Sequence, residues 1–222
     1  MLEADLQAIG RNSGLTSAAW YERQQLWRFL CSAAETDLLQ YPLEVVHTSD
    51  SRPDFLLKSG THRIGIEASR LTSEPYERLM RLHARGQTGP VIAVSSALAT
   101  TAHLRSDELI GMSLPGVQGC GRAVDAEDSY IQQALRVIGR KTKIRRAAAY
   151  QDYGHNWLLL WDKLSISDRD FLSRPKLLQS WLKSFWCQTM RFDTIILESD
   201  DFRRFAILTP GELRWLPVEA GG

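Results

Sequence analysis

One stretch of short apolar runs separated by a turn most strongly constrains how this chain can fold. Phe55–Leu57 has strand composition, Ser59–Gly60 forms a turn pair, and Arg63–Ala68 returns as a second strand. The run Leu43–Thr48, which precedes them, has strand composition as well. The sequence therefore predicts a β-meander of three strands.

Helical and strand patterns alternate along the rest of the chain. Apolar residues at three-, four- and seven-residue steps predict a long helix from Thr16 to about Leu39, and Tyr41–Pro42 ends it. Further helices are predicted at 73–83, 125–150 and 175–190, and further strands at 156–161, 192–197, 204–208 and 213–216. Residues 95–124, rich in Ser, Gly, Ala and Thr, predict a loop. This order predicts an α/β fold with a mixed β-sheet flanked by helices.

The length and charge of the chain limit its class. Its 222 residues predict a single domain over 1–222 with an N-terminal helical segment at 1–42. Lys and Arg total 27 against 26 Asp and Glu, a net charge of +1, which excludes a histone-like protein. Any nucleic-acid binding must therefore come from a local basic patch.

Compartment signals are sparse. Cys31, Cys120 and Cys187 lie far apart, which argues against a disulfide framework or a Cys-rich zinc site and predicts a cytoplasmic protein. The longest aromatic and aliphatic run, Trp157–Trp161, is far shorter than the roughly 20 residues of a spanning helix, so no membrane partner is expected. The acidic N-terminus does not resemble a secretory signal.

Two carboxylates flank the predicted hairpin. Asp54 follows Pro53 at the start of one strand, and Glu67 lies on the next. If the strands pair through the turn, the two carboxylates meet at one end of the hairpin, where a divalent cation would relieve their repulsion. Mg²⁺ suits oxygen ligands and can polarise a phosphoryl oxygen. The alternative interpretation is an ordinary turn followed by a solvent-facing Glu67.

A basic patch lies on the helix predicted at 125–150. Its six cations fall within eleven residues: Arg136, Arg140, Lys141, Lys143, Arg145 and Arg146. Such a patch can neutralise phosphates, and binding should then weaken steeply with salt. The alternative is a solvated helix face.

Taken together, these motifs resemble those of the PD-(D/E)xK nuclease superfamily. Pro53–Asp54 matches its first element, and Glu67, approached through Ile64–Ile66, matches its second. The resemblance covers 52–71 in its motifs and most of 16–162 in its element order. It implies a restriction-endonuclease-like core and an endonuclease that uses Mg²⁺ or Mn²⁺ to hydrolyse nucleic acid, which in this family is more often DNA than RNA.

One position departs from the family pattern. The family's Lys should lie two residues after the Glu, where this chain has Ser69. Some similar members carry that Lys on a later helix, and Lys141 and Lys143 are the candidates here. At about 100° per residue, Lys141 lies at the edge of the helix's apolar stripe and Lys143 well away from it, which favours Lys141, with Lys143 second.

The resemblance also implies a third acidic ligand from the first long helix. Glu35 is the candidate, and Glu22 and Asp37 are also available. The remaining arginines of the basic patch would bind the nucleic-acid backbone: Arg136, Arg140, Arg145 and Arg146.

Two further hypotheses remain open at this point. Ser69 is what an inactivated member would carry, so the chain could instead be a catalytically inactive module that binds nucleic acid or a partner protein. It could also act as a homodimer, or with a partner subunit that supplies targeting.

Overall fold

The computed structural model describes residues 17–34, 36–48, 53–72, 74–87, 123–147, 150–164, 168–189, 191–199 and 204–216. The helices are α1 (Ser17–Ala33), α2 (Glu74–Ala84), α3 (Ala123–Arg145), α4 (Asp168–Trp181) and α5 (Lys183–Trp186). The strands are β1 (Glu44–His47), β2 (Phe55–Ser59), β3 (His62–Leu71), β4 (His155–Asp162), β5 (Thr194–Ser199), β6 (Phe205–Thr209) and β7 (Glu212–Leu216).

All seven strands form one mixed sheet whose spatial order follows the chain, from β1 to β7. The first three strands pair antiparallel, and Gly60 closes the β2–β3 turn with a positive φ of 56°. Strands β3, β4 and β5 are mutually parallel, and β5, β6 and β7 are antiparallel. The predictions of a β-meander and of a mixed sheet are confirmed.

Helices cover both faces of the sheet, which makes the fold a single α/β domain. On one face, Leu26, Phe29 and Leu30 of α1 pack against the sheet. On the other face, α3, α4 and α5 contribute the buried side chains Tyr130, Ala134, Ile138, Phe171, Leu178 and Phe185. Strand β4 lies in the middle and buries both its faces, as a parallel strand between two helical layers must.

Several predicted helix bounds were wrong. Helix α3 ends at Arg145 instead of residue 150, and α4 and α5 replace the single helix predicted at 175–190. Helix α1 ends at Ala33 instead of Leu39, and the Thr36 hydroxyl donates a hydrogen bond to the Ala33 carbonyl that the helix leaves open. Helix α4 begins at Asp168 and contains Pro175, where the sequence predicts a start. Phe171 packs in the core before Pro175, and this burial retains a helical turn that proline weakens.

Some predictions fall on residues that the structure does not describe. Residues 95–122 of the predicted loop at 95–124 lie outside the described residues. Its last two residues, 123 and 124, belong to the beginning of α3. Residues 1–16 of the predicted N-terminal helical segment lie outside the described residues as well.

Candidate functional site

The β2–β3 hairpin brings Asp54 and Glu67 together. Phe55 pairs with Ile66, so one step beyond that pair Asp54 lies opposite Glu67. Residues opposite one another in an antiparallel pair project to the same face of the sheet. The Glu67 side chain is fully buried, and Asp54 Oδ2 accepts a hydrogen bond of 2.9 Å from the Ala68 N–H.

Strand β3 continues past the end of β2, which leaves part of its backbone without a strand partner on that side. Residues 67–71 lie beyond the last β2 pair. Side chains satisfy this edge at Ala68, because Asp54 accepts from its N–H and Lys141 donates to its carbonyl at 2.9 Å. The side chains of Asp54 and Lys141 are thus held by the backbone of the strand that carries Glu67.

Lys141 reaches this site from α3. Its Nζ lies 2.7 Å from Glu67 Oε1, and its side chain is 11% exposed. Ser69, two residues after Glu67, lines the cleft beside the site. The structure therefore brings Lys141 to Glu67 and to the backbone of Ala68, which Asp54 also binds.

Lys143 does not share this position. It is exposed and lies on the same face of α3 as Arg136 and Arg140, because these residues are spaced by four and three. A helical rotation of about 200° separates Lys143 from Lys141. The structure therefore places Lys143 on the exposed basic face (Arg136, Arg140 and Lys143) and away from Glu67.

Arg145 differs from the sequence-based expectation of an exposed cation, whereas the structure does not contradict that expectation for Arg146. Arg145 is 5% exposed, and its Nη2 lies 3.3 Å from Asp152 Oδ2, so it is not part of the exposed basic face. Helical rotation turns it toward the interior of the protein. Arg146 is exposed and donates a hydrogen bond of 2.8 Å to Gln188 Oε1.

The third carboxylate near the site is Glu22 of α1. Burial raises the pKa of Glu22 above its ordinary value of 4.5, and the charges of Asp54 and Glu67 raise it further. Lys141 and Arg70 act in the opposite direction. Glu22 therefore lies in the negative field of the other two carboxylates.

Of the other two acidic candidates, Asp37 lies away from the site and Glu35 lies outside the described residues. The Asp37 side chain is 85% exposed, and its Oδ1 lies 3.7 Å from Arg214 Nη1. Arg214 belongs to β7, an edge strand at the end of the sheet far from β2 and β3. Of the two alternatives that the sequence leaves beside Glu35, the structure thus favours Glu22.

Tyr150 is a site neighbour that sequence reasoning missed. Burial raises the pKa of its hydroxyl well above the ordinary value, and the negative charge of Glu67 acts in the same direction. No residue pattern identifies it, because it follows the end of α3 and only the turn there brings it back to the carboxylates.

A cleft of about 490 Å³ opens beside the carboxylates, between α1, α3 and the end of β3. Lys141 and Arg140 line one side of it. Glu22 and Gln25 of α1 line another, together with Ser69. The cleft therefore gives a ligand access to the Lys141 ammonium group.

The chemistry of the carboxylates suits a divalent cation. Among the described residues, no three His, Cys, Asp or Glu side chains are arranged to hold an ion by themselves. Mg²⁺ commonly needs only one or two carboxylates and completes its shell with water and substrate phosphates. Asp54 and Glu67 are the pair that would hold it, and the raised pKa of Glu22 reflects burial and a repulsion that a cation would relieve.

Comparisons of the chain with protein-family models, curated proteins and solved structures found no match. Across the part of the chain that is described, no helix is long and apolar enough to cross a membrane. The chemistry of the site is therefore the basis for a functional proposal.

Proposed function

We propose that this protein is a metal-dependent endonuclease that hydrolyses phosphodiester bonds in nucleic acid, and DNA is the substrate that the resemblance implies. The observation that carries the proposal is the position of Lys141, whose Nζ lies 2.7 Å from Glu67 Oε1. Asp54 binds the next residue of the same strand. This arrangement resembles a PD-(D/E)xK site whose Lys comes from a later helix.

The element order supports the same proposal. Helix α1 precedes the antiparallel strands β1, β2 and β3, and α3 then leads into the parallel strand β4. This order is similar to that of the restriction-endonuclease-like core implied by the motifs. The candidate residues lie on β2, β3 and α3 within this part of the fold.

The side chains of the site suit in-line hydrolysis. A Lys ammonium has three N–H donors, two of which bind Glu67 and Ala68 here, and the third can bind a water molecule or a phosphate oxygen. From there Lys141 can orient the attacking water and stabilise negative charge that develops on the phosphate. When bound by Asp54 and Glu67, Mg²⁺ or Mn²⁺ would act as a Lewis acid toward the phosphodiester.

The exposed basic face of α3 supports a nucleic-acid substrate. Arg136, Arg140 and Lys143 lie on one side of the helix, and Arg140 also lines the cleft. If each neutralises one phosphate, log K falls against log salt with a slope of about −2 to −3. A slope near zero would contradict backbone binding by this face.

A second candidate is a catalytically inactive module that binds nucleic acid or a partner protein within a larger complex. Ser69 favours it, because the usual Lys is missing from β3. The hydrogen bonds of Lys141 to Glu67 and Ala68 are also consistent with a purely structural role, in which the ion pair stabilises the open edge of β3. A homodimer or a targeting subunit would suit either candidate, and both stay predictions, as does a cytoplasmic location.

Cleavage of supercoiled plasmid, single-stranded DNA and RNA, with Mg²⁺, Mn²⁺ or EDTA, distinguishes the two candidates. Asp54→Asn and Glu67→Gln should lower metal-dependent cleavage by on the order of 100-fold or more. Glu44→Gln is the matched control, because it removes a 63% exposed carboxylate that pairs with Lys58 away from the site.

The outcomes separate clearly. Metal-dependent cleavage that survives in Glu44→Gln and is lost in the two site variants supports the nuclease. Undiminished cleavage by Glu67→Gln contradicts it. Binding without cleavage of any substrate supports the inactive module.

A further inference from the structure

Aromatic rings and a guanidinium form one wall of the cleft, which we call the cation–aromatic wall (Tyr21, Arg70 and Trp161). The Arg70 guanidinium lies 4.3 Å from the centre of the Tyr21 ring. The Tyr21 and Trp161 rings are 5.6 Å apart and inclined by 42°. Aromatic and guanidinium planes are the surfaces on which unpaired bases stack in proteins that bind single strands.

Two buried donors belong to the same cleft. Gln25 is 2% exposed, and within the described residues no group accepts a hydrogen bond from its Nε2. The indole N–H of Trp161 is also buried without an acceptor in that part of the chain. Leaving buried donors unsatisfied costs free energy, so a ligand that presents acceptor atoms would be stabilised here. Nucleobase edges carry carbonyl oxygens and ring nitrogens of this kind.

The size and charge of the cleft suit a nucleotide. A volume of about 490 Å³ is within the range of pockets that enclose small organic ligands, roughly 300–1,000 Å³. Arg140 and Lys141 line the side nearest Glu67 and can bind a phosphate. A base in a duplex is stacked between its neighbours and cannot enter such a cleft unless it is extruded, whereas a base in a single strand can.

We propose that the cleft binds an unpaired nucleobase, which stacks on the cation–aromatic wall and accepts a hydrogen bond from Gln25. The substrate is then single-stranded nucleic acid, or a single-stranded end of a duplex. This inference rests on the proposed nuclease function for the reaction, but base binding is measured separately from cleavage.

The test is binding of a short labelled oligonucleotide, as single-stranded DNA, as RNA and as the matching duplex, by fluorescence anisotropy. EDTA is present throughout, so that cleavage does not interfere. Wild type binds the single strands more tightly than the duplex. Trp161→Ala weakens single-strand binding by about tenfold, and Gln25→Leu weakens it as well. Trp181→Ala, which removes a 56% exposed tryptophan of α4, changes the affinity for neither the single strands nor the duplex.

A conservative variant guards against loss of folding. Trp161→Phe keeps an aromatic plane and retains most of the affinity. In wild type, a bound single strand should quench the fluorescence of Trp161. The Trp161→Phe variant should lack this part of the quenching. Trp181→Phe retains that quenching. Circular dichroism of every variant reports whether the fold is intact.

Failure of this inference differs from failure of the nuclease function. Equal affinity for duplex and single strand, or undiminished quenching in Trp161→Phe, would overturn base binding even if the protein cleaves DNA. Single-strand binding that depends on Trp161 and Gln25, in a protein that cleaves nothing, would uphold base binding and refute the nuclease. The DNA and RNA arms show whether the 2′-hydroxyl affects binding.

Discussion

Replacing Lys141 with methionine should destabilise the protein as well as inactivate it. The Lys141 side chain is 11% exposed, and the Glu67 carboxylate that it binds is fully buried. Methionine is similar to lysine in length and in its apolar part, but it removes the charge and the donors. The variant therefore leaves a buried carboxylate without the ammonium that pairs with it.

The magnitude follows from the two hydrogen bonds that are lost. The bond to Glu67 Oε1 joins charged groups and contributes about 1.5–3 kcal/mol, and the bond to the Ala68 carbonyl about 1 kcal/mol. Their sum of roughly 2.5–4 kcal/mol overlaps the ~3–5 kcal/mol that breaking a buried ion pair costs. Lys141→Met should therefore lower the free energy of unfolding by about 3 kcal/mol.

A double-mutant cycle in urea measures this energy. Glu67→Gln removes the buried charge, so the double variant Lys141→Met/Glu67→Gln should be more stable than Lys141→Met alone. The coupling energy should be about 2 kcal/mol. The double variant should nevertheless lack the proposed nuclease activity, because the two changes restore stability but remove both proposed catalytic groups.

Lys58→Met is the control, since Lys58 binds Glu44 3.0 Å away on an exposed surface. It should cost at most about 1 kcal/mol. A cost below ~1 kcal/mol for Lys141→Met, with no coupling to Glu67, would refute the assignment of a buried Lys141–Glu67 pair.

Three further predictions concern packing, pH and metal. Gly65→Ala should lower the free energy of unfolding, measured in urea, by about 1–3 kcal/mol, because a Cβ there would lie 2.8 Å from Pro53 Cγ. As a control, the Cβ of Gly139→Ala in α3 would meet nothing within 4 Å, and this variant should raise the free energy of unfolding by about 0.5–1 kcal/mol. The pKa of Glu22 is raised in the folded state, so its contribution to stability falls as pH rises above 4.5, and Glu22→Gln should flatten that fall in urea titrations at several pH values. Mg²⁺ should raise the Tm of wild type in a thermal shift assay, and an equal rise in Asp54→Asn would contradict the metal assignment.

Local patterns predicted the hairpin well. The turn at Ser59–Gly60 and the apolar runs beside it specify the pairing of β2 with β3, and this register alone places Asp54 opposite Glu67. Helical periodicity by itself favours Lys141 over Lys143, because a residue at the edge of the apolar stripe can reach the sheet.

Other features depended on contacts that are distant in sequence. The sequence favours Glu35 as the third carboxylate and leaves Glu22 as an alternative, and only the path of α1 across the sheet brings Glu22 near the other two carboxylates. Arg145 reads as one more cation of a basic run, yet its position on α3 buries it beside Asp152. The cation–aromatic wall combines residues of α1, β3 and β4, and no spacing along the chain identifies it.

The sequence by itself determined the order of helices and strands, the hairpin and the two carboxylates that it joins, because these follow from interactions between near neighbours. The tertiary structure decided which helix residues complete the site. Lys141 acts on Glu67 from 74 positions away along the chain. Such a contact exists only because the apolar faces of α3 and of the sheet pack together, and packing between distant segments is set by the whole fold.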